Sequence, residues 1–254
     1  MDRGGADIVR PVATTAVLFD LDDTLFDHRG CTRDALAKVR SRYPGLQSLS
    51  ADAMEREYSR LLEEMHFQVL AWQLTVEEAR IERFRRLLEH AGPTARQGEA
   101  EEAASAYRVA YRSVWRPVDG ALELLVALHG RAAIGVVTNN MALEQRQKIA
   151  ACGFGPYVDA AVISEEVGAA KPDPRVFEIA LRELGRPADE AVMIGNASDI
   201  DILGARAAGI RPIWFNRSGA LSLDPSVTEI WSLRPTELVL SVIFDELEGQ
   251  PATP

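Results

Sequence analysis

The chain has 254 residues, 47% of them apolar, and a formal net charge of −10. That length suits one large domain or a domain with an insertion, and the negative balance argues against nucleic acid as a partner. The longest apolar runs fall well short of the roughly 18 residues that span a bilayer, and the stretch from Met1 to Thr15 holds no apolar signal core, so the expected setting is the cytoplasm, with no membrane partner.

The chain opens on a loose arm over residues 1–14, carrying Gly4, Gly5 and Pro11. Ala16-Val17-Leu18-Phe19 then reads as a buried parallel strand, and it ends abruptly in Asp20, Asp22 and Asp23. A buried strand gains nothing from carboxylates at its end, because desolvating them is costly. Open α/β sheets bind ligands at the carboxyl ends of their strands, so Asp20 and Asp22 fall where chemistry takes place. Phe26-Asp27-His28-Arg29-Gly30 is expected to turn into the next segment.

From Cys31 to Trp115 no strand pattern occurs, and four amphipathic helices are expected. They run from about Thr32 to Arg42, from Ala51 after an Ser50 N-cap to Leu70, from Thr75 to the Gly92-Pro93 stop, and from Gly98 to Val114. Thr75 and Glu78 have capping-box spacing. Such helices with short loops can form a small bundle. Residues 29–115 hold 14 Lys+Arg and 13 Asp+Glu, whereas the rest holds 14 and 25. An anionic substrate therefore meets less repulsion from this segment than from the remainder. Arg29, Arg33 and Trp72 are its candidates for meeting a substrate.

After Pro117 helices and strands alternate. Helices are expected over Gly120–His129, Met141–Ala151, Pro174–Leu184, from about Ile200 to Gly209, and Thr236–Leu247. Strands are expected over Ala133–Thr138, Ala160–Ile163, Ala191–Ile194, Arg211–Phe215 and Glu229–Trp231. Asp173 caps the helix that starts at Pro174, and Gly185 stops it. The pattern predicts an α/β fold, a doubly wound parallel sheet of Rossmann-like type. Residues 1–28 and 116–254 would form that core, with 29–115 inserted as a four-helix cap domain. Cys31 and Cys152 are far apart and expected as free buried thiols. The four histidines show no ligand spacing.

Polar residues close several strands. They are Asp20 and Asp22 after the first, Thr138-Asn139-Asn140 after the second, Lys171-Pro172-Asp173 beyond the third, and Gly195-Asn196 through Asp199 and Asp201 after the fourth. In a parallel sheet these ends share one edge, so the groups converge. Each has a duller reading alone. Thr138 could cap a helix, Lys171 could be a solvated loop residue, and Asp199 and Asp201 could answer a helix N-terminus.

Taken together, the order and spacing resemble the four motifs of the haloacid dehalogenase-like hydrolase superfamily, beginning with Asp20-x-Asp22-x-Thr24. Ile163 to Gly168, Lys171-Pro172 and Asp201-Ile202-Leu203-Gly204-Ala205 look most like its pyrimidine nucleotidase and N-acylneuraminate phosphatase branches, which carry a helical cap after the first strand. The resemblance implies a phosphatase acting on a small phosphorylated metabolite, a nucleotide or a sugar phosphate. Asp20 would be the nucleophile that forms an aspartyl-phosphate, and Asp22 the general acid and base. Thr138 and the backbone at Asn139 would bind phosphoryl oxygens, and Lys171 would offset the gathered charge. Mg²⁺ would be held by Asp20, the Asp22 carbonyl, Asn196 and Asp201. Asn196 departs from the family's usual Gly-Asp and brings an amide where a carboxylate is common. That departure keeps two alternatives open, a metal-independent 2-haloacid dehalogenase and a catalytically weakened binding or regulatory protein. A monomer or a homodimer fits the resemblance equally.

Overall fold

A computed structural model describes residues 14–70, 73–92, 98–221 and 224–245. The chain divides into two compact units, one made of residues 1–27 and 116–254, the other of residues 28–115.

The first unit is a six-stranded sheet in the order β3-β2-β1-β4-β5-β6, parallel at every pairing. Its strands are β1 (Ala16–Phe19), β2 (Ala133–Thr138), β3 (Ala160–Ile163), β4 (Ala191–Gly195), β5 (Arg211–Phe215) and β6 (Thr228–Ile230). β1 is apolar throughout because it lies in the centre, with Phe19 in register with Val136 on one side and Ile194 on the other. The strand order reverses at β1, which opens the crevice where such sheets bind ligands. One face packs Leu18, Val137, Val162 and Met193 against Val176, Phe177 and Ala180. These last three lie on the helix Pro174–Leu184, with Asp173 accepting from the Arg175 N–H as its N-cap and Gly185 in the left-handed region as its stop. Each large apolar side chain buried this way contributes about 1.5–3 kcal/mol.

The second unit holds α1 (His28–Arg42), α2 (Ala51–Leu70), α3 (Val76–Ala91) and α4 (Glu99–Ser113). Its core includes Tyr58, Phe84 and Tyr107, whose ring centroids lie 5.0–5.8 Å apart. The Thr75–Glu78 capping box is formed in both directions, and Ser50 accepts from the Ala53 N–H. Arg29 and Arg33 both pair with the buried Glu55. Trp72 lies outside the described residues, as do residues 1–13, Pro93 and the end of the expected closing helix.

Three expected boundaries are corrected. The turn expected at residues 26–30 is taken up by α1, which starts at His28. Its first N–H groups need no intrahelical partner, so Gly30 is tolerated there. The helix expected from Ile200 begins instead with a wide π turn over Ser198–Ile202, in which the Ile202 and Leu203 N–H groups donate five residues back, to the Ala197 and Ser198 carbonyls. The closing helix ends at Ile243, four residues short of Leu247. Both cysteines are buried thiols outside any disulfide. Among the described residues no helix is long and apolar enough to cross a membrane.

Candidate active site

The site is built at the carboxyl edge of β1, β2 and β4. Asp20 directly follows β1, and its N–H donates to the Ile194 carbonyl at 2.9 Å, which ties it to the end of β4. The chain then makes one tight turn, with the Leu21 carbonyl accepting from Leu25 and Phe26. This turn keeps Asp22 and Thr24 at the same edge.

Asp20 is 7% exposed, Lys171 5% and Asp201 1%. Lys171 Nζ donates to Asp20 Oδ1 at 2.6 Å and lies 2.7 Å from Asp201 Oδ1. Two carboxylates thus face one ammonium. Burial drives the Asp20 carboxyl up to about 7; Lys171 opposes the rise and Asp201 adds to it. Burial works against the Lys171 ammonium too, yet Asp20 and Asp201 outweigh it and raise its value. Lys171 is itself fixed by a reciprocal pair of 2.8 Å bonds: its N–H donates to Asn139 Oδ1, and Asn139 Nδ2 donates to its carbonyl. The Asn139 side chain is therefore committed to Lys171, and its own backbone is what it can offer a ligand.

Gly195 leaves room for Asp201. A Cβ at Gly195 would lie 2.4–2.5 Å from three atoms of the Asp201 side chain. Asp201 Oδ2 accepts from the Ala197 N–H at 2.9 Å. Its Oδ1 makes a close ion pair with Lys171 but no directed hydrogen bond, which leaves buried acceptor capacity. Asp199 is exposed.

Asn196 projects one terminal atom of its amide to 3.2 Å from each of Asp20 Oδ2, the Asp22 carbonyl and Thr24 Oγ1. With Nδ2 in that position, the amide shares its two N–H donors among the three. With Oδ1 there, the Thr24 hydroxyl is the donor between the Asp20 and Asn196 oxygens, at 3.1 and 3.2 Å; its single proton leaves the amide, carboxylate and carbonyl oxygens with acceptor capacity that suits a cation. Oxygens on adjacent vertices of an octahedron about 2.0–2.1 Å from Mg²⁺ stand roughly 3 Å apart. Among the described residues no three His, Cys, Asp or Glu side chains gather for a metal; here the donors are one carboxylate, one carbonyl and one amide. The set fits a hard cation with oxygen ligands.

The Asp22 carboxylate enters a neighbouring network. Lys148 Nζ donates to its Oδ1 at 2.7 Å, and Gln145 Nε2 donates both to its Oδ2 at 2.9 Å and to Thr138 Oγ1 at 2.7 Å. Both residues belong to the helix Ala142–Ala151 and are wholly buried. The sequence reading passed over them. Their signal was two polar residues on the face that also carries Ile149 and Cys152. The expected residues thus form two groups: Asp20 and Asp201 around the Lys171 ammonium, with Asn139 holding the Lys171 backbone and Asn196 beside Asp20, and the Asp22 carboxylate with Thr138 around Gln145.

Comparison with known proteins joins this geometry to a family. Residues 14–209 match the model of haloacid dehalogenase-like hydrolases. The chain belongs to that family and is an enzyme of its hydrolase class. It is 31% identical over 238 residues to phosphoserine phosphatase of Thermus thermophilus, covering 84% of this chain and 92% of that protein. It is 32% identical over 222 residues to ribulose-1,5-bisphosphate 5-phosphatase of Halopiger xanaduensis, covering 85% and 92%. Pyrimidine 5′-nucleotidase YjjG of Escherichia coli is 39% identical over 108 residues, and that match spans about half of it, 48%, and 42% of this chain. Among solved structures, HAD-hydrolase YfnB from Bacillus subtilis, bound to magnesium, superposes with a TM-score of 0.71 at 24% identity, covering 90% of this chain and 99% of that one.

Proposed function

We propose that the protein is a Mg²⁺-dependent phosphomonoesterase that acts on a small phosphorylated metabolite, a nucleotide or a sugar phosphate, through an aspartyl-phosphate on Asp20. The observation that carries this reading is the buried Asp20 carboxylate bound to Lys171 at 2.6 Å, with a second acid two residues on. In the first step an Asp20 oxygen bonds to phosphorus, and the substrate's ester oxygen departs with a proton from Asp22. In the second step water attacks the same phosphorus while Asp22 takes its proton, which releases inorganic phosphate and restores Asp20. Thr138 and the Asn139 backbone bind phosphoryl oxygens, and Lys171 reduces repulsion between carboxylate and phosphate. Asp20, the Asp22 carbonyl and Asn196 would hold Mg²⁺, with Asp201 close by. The cation supplies further positive charge against the phosphate dianion. The helical unit is read as the cap, and two cysteines outside any disulfide are in keeping with a reducing cytoplasm.

The amide at Asn196 favours one competing reading, a dehalogenase that displaces halide from carbon without a metal. A 2-haloacid dehalogenase from Pseudomonas syringae is among the similar structures, at a TM-score of 0.59 and 28% identity. Halide departure needs no proton, and so that chemistry leaves Asp22 without a task. A screen of nucleotides and sugar phosphates with Mg²⁺ and with chelator, with chloroacetate in parallel, separates the two. Phosphate release that requires Mg²⁺ is expected; chloride release in chelator would replace this proposal with the dehalogenase.

A further inference from the structure

Lys148 is fully buried, although a charged side chain is costly to desolvate and a methionine would fill the same space without that cost. Its ammonium reaches Asp22 Oδ1 at 2.7 Å and Glu144 Oε1 at 3.3 Å, with the Phe26 ring centroid at 4.9 Å. Three residues earlier on the same helix face, Gln145 serves Asp22 and Thr138 with one NH₂ group. Nε2 faces Asp22 Oδ2, which accepts from it and keeps a second lone pair that can carry the proton for the leaving oxygen. The same group therefore donates to Thr138 Oγ1 as well. Thr138, already accepting from Gln145, is left with its own hydroxyl proton to give to another acceptor, such as a phosphoryl oxygen.

We infer that Lys148 and Gln145 are positioning residues: Lys148 fixes the Asp22 carboxylate, and Gln145 locks that carboxylate and the Thr138 hydroxyl into one frame. The inference rests on the reading of Asp22 as the acid–base group. A held carboxylate meets the leaving oxygen in one geometry instead of sampling several, which is where positioning contributes to rate. Asp20 has separate partners, the Lys171 ammonium and the Thr24 hydroxyl.

The test compares Lys148→Met, Gln145→Leu and Asp22→Ala with the full-length wild type in Mg²⁺, using glycerol phosphate and p-nitrophenyl phosphate as probes. In Lys148→Met, kcat for glycerol phosphate is expected to fall on the order of 10- to 100-fold with KM within about twofold. The loss with p-nitrophenyl phosphate, whose leaving group needs little protonation, is expected to stay under about threefold. In Gln145→Leu, KM and the inhibition constant for inorganic phosphate are expected to rise about three- to tenfold, because Thr138 loses its orientation. A purely structural role would lower activity equally with both probes. Equal losses in Lys148→Met, or unchanged constants in Gln145→Leu, overturn the inference. If Lys148→Met does not fold, the Gln145→Leu constants decide alone. Asp22→Ala separates the two levels. If it fails to discriminate between the probes, the reading of Asp22 falls and the inference with it; if it discriminates and Lys148→Met does not, the inference alone falls.

Discussion

At Asp20 burial outweighs the ion pair, so the carboxyl sits near 7 although an ammonium lies 2.6 Å away. Its folded value is raised above the unfolded one, so the fold holds the proton more tightly. Stability is therefore lost as pH climbs from about 4, where the unfolded chain ionises, to about 7. Asp20→Asn removes this penalty and leaves one carboxylate, Asp201, for Lys171. The variant is expected to have no turnover. In chelator it should melt above wild type, by more at pH 8 than at pH 5, and equal shifts at both values would contradict the assignment. Asn196 carries the second residue-scale prediction. Its amide can satisfy the surrounding oxygens without a metal, which an aspartate at this position cannot. Asn196→Asp is expected to tighten Mg²⁺ about tenfold, or about 1.4 kcal/mol, and to lower the melting temperature in chelator. Asp201→Asn should weaken Mg²⁺, and exposed Asp199→Asn should leave it unchanged. Titrating Mg²⁺ against activity in the three variants measures this; unchanged metal dependence in Asn196→Asp would remove Asn196 from the metal. The sequence made Asp20, Lys171 and Asn196 legible because each closes a strand or follows one in a known order. Lys148 and Gln145 were illegible because helix periodicity treats position 148 as one more charged residue, and only packing reveals that it is buried.

Among the elements, β4 and the turn after it depend most on one small residue. Gly195→Ala would drive a methyl to within 2.5 Å of Cβ, Cγ and Oδ2 of Asp201, the carboxylate whose Oδ2 accepts from the Ala197 N–H and whose Oδ1 faces Lys171. Overpacking of this kind costs about 1–3 kcal/mol, and here it also disturbs the ammonium beside Asp20. Thermal melting and phosphatase assays of Gly195→Ala should show both losses; a variant of wild-type activity would mean that Asp201 does not position Lys171. Most elements could be read from local signals. The Asp173-Pro174 start, the Gly185 stop and the Thr75–Glu78 box each act within a few residues, so no tertiary knowledge was needed. The π turn at Ser198–Ile202 could not be read that way, since Asp201 reads as an ordinary helix-start acid, whereas in the fold its carboxylate turns back to accept from the Ala197 N–H. The early start of α1 escaped for a similar reason, because Gly30 signals a turn in sequence but is tolerated in a first helical turn.

For the molecule as a whole, the chain leaves the sheet unit after Asp27 and re-enters it at Arg116. These two ends are joined: the Asp27 N–H donates to the Arg116 carbonyl at 3.1 Å, and the Arg116 guanidinium pairs with the Asp27 carboxylate at 2.9 Å. Replacing residues 28–115 by a short Gly-Ser linker is therefore expected to leave a sheet unit that melts cooperatively. A circular-dichroism melt without a transition would show that the unit needs the helical segment to fold. The parallel sheet was legible from its β-α alternation. The choice of substrate was not, because no short motif in residues 28–115 specifies a metabolite. The most direct measurement of the central claim is acid quenching during turnover of p-nitrophenyl phosphate in Mg²⁺, followed by mass spectrometry of the peptides. A phosphoryl group on the peptide that contains Asp20, absent from Asp20→Asn, is the expected result. Continued phosphate release with no covalent phosphate on that peptide would contradict it.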